Sequence, residues 1–235
     1  MIITIDGPAA SGKSTIARQL AARLRIPYLD TGAMYRVITL AALEDGLDLH
    51  DDDALAALAA SNDWQLDLRP TDLRVLLRGR DVTQAIRSMT VNQHTRFIAA
   101  APGVRHTLIN KQRALAQQLG SLVTEGRDQG TAVFPNADAK FFLDADRHTR
   151  AQRRLLELQA AGQTATFTQV LANLDQRDLT DAQRQLAPLA MPPDALRIDT
   201  TNLSIPAVLD LIIQHLYQRG LLNHRGPTPS DPPAR

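Results

Sequence analysis

Close to the start of the chain, Gly7-Pro8-Ala9-Ala10-Ser11-Gly12-Lys13-Ser14-Thr15 sets a lysine and two hydroxyls directly behind a glycine-bounded turn. The spacing G-x-x-x-x-G-K-[ST] suits the capture of nucleotide phosphates. Glycines let the backbone curl into a cup lined with N–H donors. A helix beginning at Lys13 adds the positive end of its dipole. Lys13 then offers a point charge to the β- and γ-phosphates, and the Ser14 hydroxyl a ligand to Mg2+. The flanks agree. Ile2–Ile5 reads as a strand, and Ser14–Leu24 carries Ile16, Ala17, Leu20, Ala21 and Leu24 at helical spacing.

The loop points to a nucleotide but not to what is done with it. No Asn-Lys-x-Asp segment is present to read guanine. Leu122-Val123-Thr124-Glu125 could end in the acidic Mg2+ partner of a mechanical ATPase, but Gly126-Arg127-Asp128 follows and suits substrate recognition. A small kinase fits better. Of 26 basic residues only Lys13, Lys111 and Lys140 are lysines. Genomic base-composition bias accounts for that, and so does a need for arginines that grip phosphates with two prongs. Position must decide.

Three later segments narrow the choice: Asp30-Thr31-Gly32-Ala33-Met34-Tyr35-Arg36; Glu125-Gly126-Arg127-Asp128-Gln129-Gly130-Thr131 with Val133-Phe134-Pro135; and Arg177-Asp178-Leu179-Thr180-Asp181-Ala182-Gln183-Arg184 with Ala187-Pro188-Leu189. Together with the phosphate loop, in this order and spacing, they resemble the bacterial cytidylate kinases from Ile2 to Tyr217. The resemblance implies a nucleoside-monophosphate kinase that moves the γ-phosphoryl group of ATP to CMP or dCMP with Mg2+. It implies that Thr31 touches the pyrimidine, that Arg36 and Arg127 hold phosphate, and that Arg105 and Asp128 read cytosine. Asp181 would bind the ribose, while Arg177 and Arg184 would surround the phosphates and act with Lys13 in catalysis. Arg150, Arg153 and Arg154 would belong to a mobile lid over ATP, at about residues 147–186. Two positions depart from the pattern: Arg96 stands where a small Ser is usual, and Gln129 where an apolar residue is usual.

The chemistry of these side chains agrees. Cytosine presents an N4 donor beside O2 and N3 acceptors, so an Asp next to an Arg distinguishes it from uracil. Phosphoryl transfer brings two polyanions together, and convergent arginines offset their charge. Plainer alternatives remain at this level. Arg36, Arg105 and the Arg150–Arg154 set could lie on solvated helix faces, and Arg177 with Asp181, four apart, could be a helical ion pair. Rival activities are a kinase for another monophosphate such as UMP, and a non-catalytic nucleotide sensor. Intact Lys13 and Ser14 argue against the sensor.

Short β-rich apolar runs alternate with helical patterns, which predicts an α/β, three-layer P-loop fold: a five-stranded parallel sheet flanked by helices. The strands fall at Ile2–Ile5, Pro27–Leu29, Leu122–Thr124, Lys140–Leu143 and Ala195–Ile198, with helices at Ala33–Leu43, Asp51–Ala60, Thr149–Ala161, Phe167–Asp178 and Ile205–Arg219. Trp64–Leu68 and Leu73–Leu77 alternate around Pro70-Thr71-Asp72 as a hairpin. They mark an inserted antiparallel subdomain at about residues 45–87, which the resemblance implies would hold the monophosphate. Residues 1–219 form one kinase domain, and 220–235 a Pro-rich disordered tail.

With 26 Lys+Arg against 25 Asp+Glu, and 4% aromatics, the chain lacks the charge and stacking surface of a nucleic-acid binder. Zero cysteines exclude thiolate chemistry and Cys-ligated metals. With no membrane-length apolar run and no basic leader, the expectation is a cytoplasmic monomer that acts on ATP and CMP or dCMP, without membrane or nucleic-acid partners.

Overall fold

In the computed structural model, which describes residues 1–69, 73–160, 162–184 and 186–222, the N-terminal apolar run is strand β1 (Ile2–Asp6). From Ile3 onward its side chains are buried, which is why it shows no clean polar alternation. The phosphate-loop segment leads into α1 (Lys13–Leu24), then β2 (Tyr28–Asp30) and α2 (Thr31–Glu44). Asp30 Oδ1 accepts the Ala33 N–H at 3.1 Å, and this cap starts α2 two residues before its apolar periodicity shows.

After α3 (Asp52–Ala60) come β3 (Trp64–Leu68), β4 (Leu73–Leu77) and β5 (Arg80–Asp81), antiparallel in that order. Trp64 pairs with Leu77, and Leu68 with Leu73, as the alternation predicts. The short strand β5 adds a third strand to the two expected from the alternation. Pro70-Thr71-Asp72 lie outside the described residues, as does the expected tail 220–235 from residue 223 on; Leu221 and Leu222, at its start, pack partly buried against the cluster that holds Leu216. Helices α4 (Met89–Ala100) and α5 (Pro102–Leu119) follow, packing on α2 and α3 respectively and joining the core of the hairpin. Neither helix is among those that the apolar pattern predicts.

The remaining elements are β6 (Leu122–Glu125), a π-helical turn (Gln129–Val133), β7 (Ala139–Asp144), α6 (Arg147–Ala160), α7 (Phe167–Ala182), β8 (Leu196–Asp199) and α8 (Ile205–Gln218). Helix α7 runs past Asp178 to Ala182, so Arg177, Asp178 and Asp181 share it. Among the described residues no helix is long and apolar enough to cross a membrane.

The parallel sheet has the order β2-β6-β1-β7-β8. Ile16, Leu20, Val208, Ile212 and Leu216 from α1 and α8 pack against Ile3, Ile5, Phe141 and Leu143 on one face, and the larger cluster built on α2, α5 and the hairpin lies on the other. The chain visits β2 on one side of β1, then passes from β6 across β1 to β7 and β8. That makes the carboxyl end of β1 a switch point, where open α/β sheets bind ligands. All five parallel strands end in an acid: Asp6, Asp30, Glu125, Asp144 and Asp199. A rim of carboxylates repels polyanions, so a phosphate site here needs many cations.

Candidate active site

The phosphate loop occupies that switch point. Gly7 has φ +146°, a backbone state other residues rarely adopt, and an added Cβ would collide with the Leu143 carbonyl. Lys13 is buried, 4% exposed, and its Nζ donates to Pro8 O at 2.6 Å, folded onto its own loop. Burial, reinforced by the Arg127 cation nearby, lowers the Lys13 pKa to about 7. Ser14 Oγ donates to Glu125 Oε1 at 2.7 Å. Burial and the neighbouring Asp30 hold the Glu125 carboxyl above its usual range. Thr15 is half-buried on the first turn of α1.

Asp6 was read from the sequence only as the end of a strand, yet it organises the next segment. Its carboxylate accepts the Gln129 N–H at 2.9 Å and the Gly130 N–H at 2.7 Å, and burial raises its pKa to about 7. These two bonds fix the turn that presents Arg127 and Asp128. The sequence signal for Asp6 was an acid placed directly before a phosphate loop.

Across the loop lies a second set of cations. Asp30 Oδ2 accepts from Arg36 at 2.6 Å and from Arg87 at 3.4 Å. Burial alone would push Asp30 up; the two guanidiniums reverse that and hold it below its usual range. Arg87, exposed at the end of a 3-10 turn, carried no motif in the sequence. Thr31 Oγ1 donates to the Glu125 carbonyl at 2.9 Å, beside the pair formed by Arg105 and Asp128. Arg105 is 1% exposed and Asp128 6%, so Arg105 is no solvated helix face. Arg36, too, is largely covered.

Asp181 accepts from Arg127 Nε at 2.8 Å and from Arg184 at 2.5 Å. The helical pair of Arg177 with Asp181, an alternative in the sequence, does not form; Arg177 is exposed, with no ion-pair partner among the described residues. Asp178 Oδ1 accepts the Ala9 N–H at 3.3 Å, and its Oδ2 accepts from Arg150 Nη1 at 2.5 Å. Arg150 Nη1 also donates to Ala9 O at 3.1 Å. Thus α6 and α7 clasp the phosphate loop, backed by Ala9, Ala151, Val170 and Leu174. Arg153 donates to Thr200 instead, and Arg154 pairs with Glu157 on the surface. Arg96 is exposed, with Cζ 4.8 Å from the centre of the Phe97 ring.

Two cationic basins thus meet at the carboxyl end of a P-loop sheet, one at the phosphate loop and one around Arg36, Arg127 and Arg184. That arrangement suits the binding of phosphate groups. The family is settled by comparison: the chain belongs to the cytidylate kinases, whose family model matches residues 3–218. It is 44% identical over 217 residues to a cytidylate kinase of Edwardsiella ictaluri, covering 92% of this chain and 96% of that one. It is 48% identical over 225 residues to a bifunctional pantoate ligase/cytidylate kinase of Synechococcus elongatus, covering 94% of this chain but spanning only 42% of that relative's length. A solved structure of an uncharacterized protein from Eubacterium ventriosum has TM-score 0.50 at 14% identity, covering 92% of this chain and 98% of that one, a likeness of fold alone.

Proposed function

We propose that the protein transfers the γ-phosphoryl group of ATP to CMP or dCMP, giving CDP or dCDP and ADP. The observation that carries this reading is the buried Arg105–Asp128 pair next to Thr31. A carboxylate that accepts from cytosine N4, beside a guanidinium that donates to the ring, complements cytosine and mismatches uracil.

The phosphate loop, Gly7 to Thr15, receives the ATP phosphates. Lys13 leaves the Pro8 carbonyl for them, and their charge restores its proton affinity. Arg36, Arg127 and Arg87 take the acceptor phosphate, and Asp181 the ribose. An acceptor phosphate oxygen attacks Pγ, the bond from Pγ to the bridging β-oxygen breaks, and ADP departs with that electron pair. Arg177 and Arg184 serve to offset the charge that spreads over the transferring group. Ser14 and Glu125 would supply hard oxygen donors to Mg2+, an ion held partly by substrate phosphates. When bound there, Mg2+ would offset charge on the β- and γ-phosphates. The α6–α7 pair, clasped through Arg150 and Asp178, serves as the lid.

Release of ADP on adding CMP to the protein with Mg·ATP tests this reading, with Lys13→Ala as the inactive control. No ADP release above that control would overturn it.

A further inference from the structure

Gln129 stands where the resemblance leads one to expect an apolar residue, and the structure sets its side chain beside Asp128. It is 1% exposed, and its backbone N–H is already held by Asp6 at 2.9 Å. Its side chain is therefore aimed by a fixed backbone. Thr124 Oγ1 donates to Gln129 Oε1 at 2.9 Å, and Gln129 Nε2 lies 3.5 Å from Asp128 Oδ1. The opposite oxygen of Asp128 takes Arg105. Gly126 supplies the room: a Cβ there would lie 2.9 Å from Gln129 Cγ, 3.0 Å from its Nε2 and 2.9 Å from Thr31 Oγ1. The amide thus lies along bare backbone between Thr31 and Asp128, two of the three groups assigned to the base.

The orientation of that amide is determined. An ionised carboxylate can only accept, so Nε2 must face Asp128, which leaves Oε1 for the Thr124 hydroxyl. Reversing the amide would set two acceptors against each other. We infer that Gln129, oriented by Thr124, is a positioning residue for base selection, holding the Asp128 carboxylate against rotation by its Oδ1.

Each carboxylate oxygen has two lone pairs, so Oδ1 can receive Gln129 and still accept from an N4 amino group. An apolar residue would fill the same space and leave Asp128 held at Oδ2 alone. A carboxylate free to turn swings away from uracil O4, and the repulsion that rejects uracil weakens. A held carboxylate cannot yield, and selectivity depends on that repulsive element as much as on the attractive one.

This inference rests on the cytidylate reading, and the test separates the two. We would measure kcat/KM for CMP and UMP at saturating Mg·ATP in the wild type, Gln129→Met, Thr124→Val and the double variant, with KM for ATP and Tm alongside. The expected result is a fall of about tenfold in the CMP/UMP ratio for each single variant, about 1.4 kcal/mol of discrimination. The double variant should fall no further, because Thr124 acts through Gln129. KM for ATP should stay put. A wild type that does not prefer CMP would overturn the cytidylate reading. A wild type that does, with a ratio unchanged within about twofold in Gln129→Met, would overturn the role of Gln129 whatever happens to Tm. Should Gln129→Met fail to fold, Thr124→Val alone decides in the same way. Full additivity in the double variant would overturn the relay through Thr124.

Discussion

The guanidinium of Arg105, on α5, donates to the carboxylate of Asp128, on the turn after β6, with side chains only 1% and 9% exposed. Placing two charges so deep costs desolvation, and replacing such pairs with apolar residues often stabilises a protein. Stability alone therefore does not explain the pair. Under the proposed reading, the need to accept from one edge of a base and donate to another does.

Breaking the pair should show in both stability and selectivity. Arg105→Met leaves a buried carboxylate without its partner and should cost about 3 kcal/mol in denaturant unfolding. Asp128→Asn keeps the shape but lets an amide donor face the base. Uracil should then gain on cytosine, and the CMP/UMP ratio of kcat/KM should fall by about a hundredfold or more, as expected of a buried polar site. Equal proportional losses on both acceptors would show that Asp128 does not read the base.

Lys13 leads to a pH test. Its folded pKa is lowered to about 7 from 10.5, so between those values the unfolded chain binds a proton that the folded chain does not. Stability from this group therefore rises with pH across that window, and its full cost is felt below about pH 7. Lys13→Met removes the cost. In the empty protein the variant should be the more stable form near pH 6, with the advantage shrinking steadily towards pH 10. Thermal unfolding at a series of pH values checks this, and an advantage that grows with pH would contradict it. Mg·ATP should reverse the order by stabilising only the wild type.

The clasp of α6 and α7 on the phosphate loop depends on Asp178, which holds both Ala9 and Arg150. Asp178→Ala removes that anchor but leaves the small apolar cluster behind it. Hydrogen exchange in α6 and α7 of the empty protein should accelerate by about tenfold, while β1 and β6 stay protected. Unchanged exchange in these helices would show that the apolar cluster alone holds them.

The parts of this molecule that local chemistry specifies were legible before the structure. The phosphate loop is written in one short segment, and the hairpin Trp64–Leu77 declares itself by alternation that only Leu76 interrupts within its two strands. Helix α5 did not, because its buried face includes Arg105 and Gln112 among Val104 and Leu108, which blurs the apolar period. Arg105 was placed by resemblance, not by pattern. Asp6, Arg87 and Asp178 went unassigned because each works through partners far away in sequence: Asp6 through Gln129 and Gly130, Arg87 through Asp30, Asp178 through Ala9. The start of α2 was misplaced because a polar cap, not an apolar residue, sets it.

The central claim is a phosphoryl transfer selective for a cytosine nucleotide. A panel of CMP, dCMP, UMP and AMP at one fixed concentration of Mg·ATP, read as kcat/KM, tests it most directly. The buried Arg105–Asp128 pair predicts CMP and dCMP ahead of UMP by about a hundredfold or more, with AMP lower still. UMP or AMP turning over as efficiently as CMP would contradict it.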